Sequence, residues 1–253
     1  MSKTLYKHLR LDVFPTPYCP GCGHGILLQA LVRSIDEVGL VWVKTLFVSG
    51  IGGAAWIPSP HFKSDTLHTM HGRPVAFATG AKLAKPELNV IVVSGDGDLT
   101  AIGGNHLIHA ARRNIDLTVI CANNNIYGMT GGQAAPTTPQ GGVTQTTPWG
   151  GEEPPFDICN LVRGAGGQFV ARNTVFQVRN LIKTLSKALT MKGFSFVEAL
   201  SPCPTHYGKL NQIPTLGDFQ KRMKGQYVDR RKWDKMEGEE KKAKIPTGIW
   251  SEA

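Results

Sequence analysis

No apolar run in the 253 residues approaches the roughly 18 needed to cross a bilayer, and no charged-then-apolar amino terminus marks a secretory leader. The expectation is a soluble, cytoplasmic protein without membrane contact. Cysteine is sparse: five residues, an odd number, with one close pair in Cys19-Pro20-Gly21-Cys22. That pattern argues against a disulfide framework and for a reducing compartment, with a metal or redox role for the pair. Acidic side chains are outnumbered 19 to 28 by Lys and Arg, and none occurs from 158 to 197, so the net charge is +9. Such a balance favours acidic partners, an acidic electron carrier or a phosphorylated substrate among them. No nucleic-acid-binding motif accompanies the charge, and nucleic acid is not expected as a partner. Internal repeats are absent too. What is present is ordinary for a globular chain, 41% hydrophobic and 19% charged, with length for one large domain or two small ones.

The chemistry concentrates between residues 95 and 133. An apolar run at 88–93 feeds into Gly95-Asp96-Gly97-Asp98, the pattern of a buried parallel strand ending in a glycine turn. Residues 103–113, with Ile102, Leu107, Ile108, Ala110 and Ala111, suit a crossover helix, and 116–122 is the next strand. At its carboxy-terminal end stands Asn123-Asn124-Asn125-Ile126-Tyr127-Gly128-Met129-Thr130-Gly131-Gly132-Gln133. Ligands of open α/β sheets bind at such strand ends. Asp96 and Asn124 would lie at the mouths of consecutive strands and offer hard oxygen ligands, the type magnesium takes beside phosphate oxygens. The expected fold is a doubly wound α/β domain, a mainly parallel sheet with helices on both faces.

Around this centre, residues 1–18 read as an extended arm lying on a neighbour, and 26–38 as a helix following Cys19-Pro20-Gly21-Cys22-Gly23-His24-Gly25. A second helix opens after His71-Gly72-Arg73. Residues 134–155, rich in Pro, Gly and Thr, form a long loop, expected to cover the site at a subunit interface. A helix is expected over 156–163 and a short strand over 167–171. Asn173 then caps a helix to 191 with an apolar stripe of Val178, Ile182, Leu185 and Leu189. Arg179, Lys183 and Lys187 share another face of it. The strand 194–200 is read as the last of the sheet, with Cys203 at its end. Cys121 and Cys159 read as small buried hydrophobes. Between 221 and 244 fall ten basic and five acidic residues. The organisation expected is therefore an α/β domain over 1–210, with the CxxC arm, and a charged extension over 211–253 packing on a partner subunit.

A GDG turn followed about 28 residues later by a double asparagine resembles the signature of thiamine diphosphate enzymes. In order along the chain, YCPGCGHG at 18–25, HTMHGR at 68–73, FATGAKLA at 77–84, SGDGD at 94–98, AIGGNHLIHAARRNIDLTVI at 101–120, TGGQ-x-x-PTTP at 130–139 and LSPCP at 200–204 resemble the β subunit of a 2-oxoacid:ferredoxin oxidoreductase, 2-oxoglutarate-type branch. The resemblance implies the thiamine-binding fold and coenzyme A-dependent oxidative decarboxylation of a 2-oxoacid to acyl-CoA and CO2, with electrons passed to ferredoxin. It implies Mg²⁺ held by Asp96, Asn124 and the backbone carbonyl of Ile126. Gly95, Gly97, Asp98, Gly128, Thr130, His71, Gly50, Ile51 and Gly52 would bind or line the cofactor. A [4Fe–4S] cluster would be held by Cys19, Cys22 and Cys203. The family's remaining cysteine ends a GIGC run, and here that position is Gly53. Some relatives carry lysine where this chain has Gly131. The pyrimidine-activating glutamate is expected on an α subunit, since no glutamate here has a motif for that role.

Two other functions fit parts of the pattern. A non-oxidative thiamine diphosphate-dependent decarboxylase or ligase would leave the cysteines structural, which the glycine at 53 favours and the retained CxxC and Cys203 oppose. A pure electron-transfer or scaffold protein would have no use for Asp96 and Asn124 together.

Overall fold

The computed structural model describes residues 6–213 and 215–252. In chain order the strands are β1 (Thr45–Ser49), β2 (Asp65–His68), β3 (Asn89–Gly95), β4 (Thr118–Asn123), the short pair β5 (Ile126–Tyr127) and β6 (Gln133–Ala134), β7 (Phe169–Thr174), β8 (Ser195–Leu200), β9 (Tyr227–Asp229) and β10 (Ile245–Glu252). The longer helices are α1 (His24–Glu37), α2 (Pro74–Ala84), α3 (Asp96–Thr100), α4 (Gly104–Arg112), α5 (Ile158–Gly164), α6 (Val178–Thr190) and α7 (Leu216–Gln226).

Eight strands form one sheet in the order β2-β1-β3-β4-β8-β7-β10-β9. Every neighbouring pair is parallel except β10 with β7. Both faces are covered, so the central strands are buried throughout and read as continuous apolar runs. Successive residues of a strand still go to opposite sides. Ile91 and Val93 of β3 and Ile120 and Ala122 of β4 pack with α1 and α6; Val90, Val92, Val119 and Cys121 pack with α2, α4 and α5. On α1 the inward face is Leu27, Leu28, Leu31 and Ile35, each contributing about 2 kcal/mol on burial. The doubly wound α/β architecture expected from the sequence is the one observed. The chain leaves β1 for β2 on one side and returns to β3 on the other. The carboxy-terminal ends of β1 and β3 therefore flank a topological switch point, where ligands of such sheets bind.

Several local expectations are corrected. Of the proposed amino-terminal arm, residues 1–5 lie outside the described residues; Leu9 is anchored on its own chain, buried and bridged to Phe62, while Leu11 and Phe14 are exposed. Asp96 opens a one-turn helix, α3, rather than a loop turn. Asn173 caps nothing; it is buried in β7, which runs on to Thr174, and its amide donates to Thr184 Oγ1. Helix α6 starts only at Val178, which is exposed, and Leu181, Leu185, Ala188 and Leu189 form its buried face. Within the basic face, Lys187 pairs with Glu252.

The strand β8 is not the last. The charged carboxy-terminal segment returns β10 to the sheet, antiparallel to β7, and buries Trp250. A polar network locks that junction. Arg172 Nε donates to Glu198 Oε2 at 2.6 Å and Arg172 Nη2 to Asp157 Oδ1 at 2.7 Å. Asn123 Nδ2 and Cys159 Sγ both donate to Glu198. The guanidinium of Arg172 also stacks 4.9 Å from the Trp250 ring, with Arg230 at 4.5 Å. Cys121 and Cys159 are fully buried, as expected of small apolar side chains. Among the described residues, no helix is long and apolar enough to cross a membrane.

Candidate functional site

A cavity of about 360 Å³ opens at the carboxy-terminal ends of β1, β3 and β4. Nearly every residue singled out in the sequence reaches it: Ile51 and Gly52 after β1, His71 before α2, Gly95, Asp96, Gly97 and Asp98 at the start of α3, and Asn124, Ile126, Gly128 and Thr130 after β4. Gly50 does not. It stands behind the wall, against Asp98: a β-carbon there would lie 1.7 Å from Asp98 Oδ2. Its hydrogen lets β1 approach α3.

Asp96 is 2% exposed. Its Oδ1 accepts from the backbone N–H of Asn124 at 3.3 Å, and Oδ2 accepts from the Thr137 hydroxyl. Burial pushes its carboxyl up to about 6 against those hydrogen bonds, and no Lys, Arg or His pairs with it among the described residues. Asn124 folds back so that Oδ1 accepts from Ile126 N–H at 3.1 Å, and both residues line the same cavity as Asp96. A buried carboxylate short of a cation, next to an amide oxygen and a backbone carbonyl, is the donor set of a hard divalent ion.

Asp98 is buried as well and is saturated with donors. It accepts from Ser94 Oγ at 2.5 Å and Gly72 N–H at 2.8 Å, and it pairs with His71 Nδ1 at 2.5 Å. The imidazole of His71 is thereby held in the cavity wall. Tyr127 crosses above, its hydroxyl donating to the carbonyl of Gly97 at 3.1 Å.

Cys19, Cys22 and Cys203 line the same cavity. Cys22 N–H donates to the Cys19 carbonyl at 3.0 Å, and Gly21 has φ +82°. With Pro20 before it, this is the arrangement of a type II turn, which needs glycine third. Cys203 enters a π-helical turn after β8. Its Sγ lies 3.6 Å from where a β-carbon on Gly128 would stand, so the cysteine wall adjoins the asparagine loop. Burial pushes the Cys22 thiol up to about 11, despite the backbone N–H of His24, and the neighbouring Cys203 and Cys19 add to the rise. Among the described residues, no three His, Cys, Asp or Glu side chains converge tightly enough to grip a single metal ion.

Two residues at the site were not nominated from the sequence. His24, inside the CPGCGHG run, is 4% exposed and lines the cavity; burial pushes its imidazole down to about 4. Thr137 sits in the loop expected to cover the site and reaches Asp96. Each acts through a contact distant in sequence, with Ser201 for His24 and with Asp96 for Thr137.

Comparison with known proteins agrees with this geometry. Residues 52–199 match the family described as thiamine pyrophosphate enzyme, C-terminal TPP binding domain. The chain is 50% identical, over 98% of its length and 86% of the relative, to the 2-oxoglutarate synthase subunit KorB of Methanothermobacter marburgensis. It is 46% identical to the subunit of the same name from Methanocaldococcus jannaschii, over 96% of this chain and 89% of that one. The 2-oxoacid:ferredoxin oxidoreductase subunit beta of Saccharolobus solfataricus is 42% identical over 81% of this chain and 67% of the relative. Among solved structures, the 2-oxoglutarate:ferredoxin oxidoreductase from Magnetococcus marinus, with 2-oxoglutarate, coenzyme A and succinyl-CoA bound, superposes with a TM-score of 0.86 at 31% identity. That match covers 98% of this chain and 84% of the solved one.

Proposed function

Because the chain belongs to the thiamine diphosphate-binding β subunits of the 2-oxoacid:ferredoxin oxidoreductases, we propose that it holds the diphosphate end of the cofactor through Mg²⁺ on Asp96, Asn124 Oδ1 and the Ile126 carbonyl, and that it acts with an α subunit on 2-oxoglutarate or a related 2-oxoacid. The observation that carries this is the meeting of Asp96 and Asn124 at the switch-point cavity, beside three cysteines. Thiamine diphosphate, when bound, supplies the nucleophile and electron sink for loss of CO2 from a 2-oxoacid.

This chain's own residues bind and orient. Asp96 carries the charge for the metal, and Thr137 and the Asn124 N–H fix its carboxylate in place. The Asn124 amide, folded onto Ile126 N–H, holds the second oxygen ligand and the turn that brings the Ile126 carbonyl round. Asp98 holds the His71 imidazole in the cavity wall. Cys19, Cys22 and Cys203, on the wall of the same cavity, would hold a [4Fe–4S] cluster, which would supply one-electron chemistry toward ferredoxin. The pyrimidine-activating glutamate belongs to the α subunit in this scheme, and coenzyme A takes the acyl group.

The test is a viologen-reduction assay on the anaerobically purified complex of this chain with its α partner. Reduction that requires 2-oxoacid, coenzyme A, thiamine diphosphate and Mg²⁺ together is expected. CO2 release without any reduction of the acceptor would instead identify a non-oxidative decarboxylase.

A further inference from the structure

Four soft or borderline donors, not three, face the cysteine end of the cavity. Cys19, Cys22 and Cys203 are joined there by His24, the first residue of α1. The imidazole is fixed from behind. Its Nδ1 is 2.9 Å from Ser201 Oγ, and its ring meets Tyr18 edge-on, with centroids 5.7 Å apart. The tautomer that donates Nδ1–H to Ser201 leaves a lone pair on Nε2. Nε2 makes no hydrogen bond among the described residues and is left free in a side chain that lines the cavity.

The direction of that nitrogen is informative. A β-carbon on Gly53 would lie 3.3 Å from His24 Nε2 and 3.4 Å from Cδ2, its nearest neighbours. Gly53 is where the resemblance expects the remaining cluster cysteine. Its missing side chain leaves open the volume toward which His24 Nε2 points. An imidazole on the same cavity wall as three thiols, with its far nitrogen anchored to a hydroxyl, repeats the arrangement by which proteins orient histidine ligands.

We propose that His24 Nε2 is the fourth protein ligand of the iron–sulfur cluster, completing a three-cysteine, one-histidine site with Cys19, Cys22 and Cys203. This rests on the cluster assigned under the proposed function, and adds the ligand that the glycine at 53 removes. Replacing one thiolate by a neutral imidazole lowers the negative charge around the irons. The cluster is then easier to reduce than a four-cysteine one, the direction seen where histidine replaces cysteine in Rieske centres. Ser201 is the positioning residue for the new ligand.

The test uses the anaerobic complex with its α partner, produced with ¹⁵N-histidine, analysed for iron and, after reduction, by pulsed electron paramagnetic resonance. About four irons per chain are expected, with a directly coordinated nitrogen whose coupling changes from the ¹⁴N to the ¹⁵N pattern on labelling. His24→Ala should lose that coupling and convert on mild oxidation to a three-iron species. Gly53→Cys in the His24→Ala background should restore four irons without a nitrogen coupling, which separates ligand loss from misfolding. Four irons with no histidine coupling in the wild type would overturn the histidine ligand and leave the cluster standing. So would an unaltered spectrum in His24→Ala. A reconstituted complex that binds thiamine diphosphate but no iron would remove the cluster itself, and the ligand with it.

Discussion

His71 Nδ1 lies 2.5 Å from Asp98 Oδ1, and the same oxygen accepts the Gly72 N–H at 2.8 Å, so the carboxylate that orients the imidazole also pins the backbone beside it. Asp98→Ala should therefore do two things. It strands the Gly72 N–H and Ser94 hydroxyl in a buried site, at a cost of about 1–3 kcal/mol. It also frees His71, and a displaced group at a reacting centre lowers turnover by up to about 100-fold. Thermal unfolding and steady-state kinetics of the complex would show both losses. His71→Ala should reproduce the kinetic loss with little change in stability.

Asp96→Ala should abolish Mg²⁺-dependent thiamine diphosphate binding and leave the fold intact, because the carboxylate stands at a strand mouth and supports no core packing. Titration calorimetry of the complex with cofactor and Mg²⁺ measures it, and chelation of Mg²⁺ from the wild type should give the same loss of affinity. Undiminished affinity in the variant would remove Asp96 from the metal site.

The sheet junction makes a prediction about stability alone. Glu198→Ala leaves Arg172 buried without its closest partner, which typically costs about 3–5 kcal/mol. The double variant Arg172→Met with Glu198→Leu removes both charges and should be the less damaging of the two. Denaturant unfolding midpoints compare them directly. A smaller loss for Glu198→Ala than for the double variant would contradict the buried-pair account.

Acidification should act on the metal-free chain in two opposed ways, weakening it through His24 while the raised Asp96 carboxyl favours the folded chain over much of the same window. Burial holds the folded imidazole near 4, below the unfolded value of 6.5, so between these limits the unfolded chain binds the extra proton. The stabilisation is fully present above pH 6.5 and is lost as pH falls toward 4, on the order of 3 kcal/mol in all. On acidification across that window the unfolding free energy should fall less, or rise more, in His24→Gln than in the wild type, the difference reporting His24 alone. An equally steep profile in the variant would assign the acid sensitivity to other groups.

The sequence carried the site better than it carried the edges of the fold. Asp96 and Asn124 are legible because each closes a strand whose apolar run is unbroken, so position along the chain translates into position at the sheet end. Strand β10 is not legible in that way. Pro246 and Gly248 interrupt it, a register shift follows Ile249, and strongly charged residues precede it. Its place is set by Trp250 against Arg172, a contact invisible to local pattern. Asn173 misled for a related reason: a polar residue with helical sequence ahead of it resembles a cap, but its amide is satisfied by Thr184 and the strand runs on. His24 and Thr137 lie inside motifs that stand out in the sequence, but their roles did not, because the partners that define them come from β8's end and from α3.

The glycines at the strand mouths were introduced as room for approach, and they also bear on how such a sequence drifts. Where Gly50 would carry a side chain, Asp98 already stands, and a β-carbon on Gly97 would come within 2.4 Å of the Tyr127 ring. Neither glycine is free to change while its partner stays. Inheritance then acts on pairs: Gly50 with Asp98, Gly97 with Tyr127. Short motifs far apart in the chain are thus interdependent, because each occupies the space the other leaves.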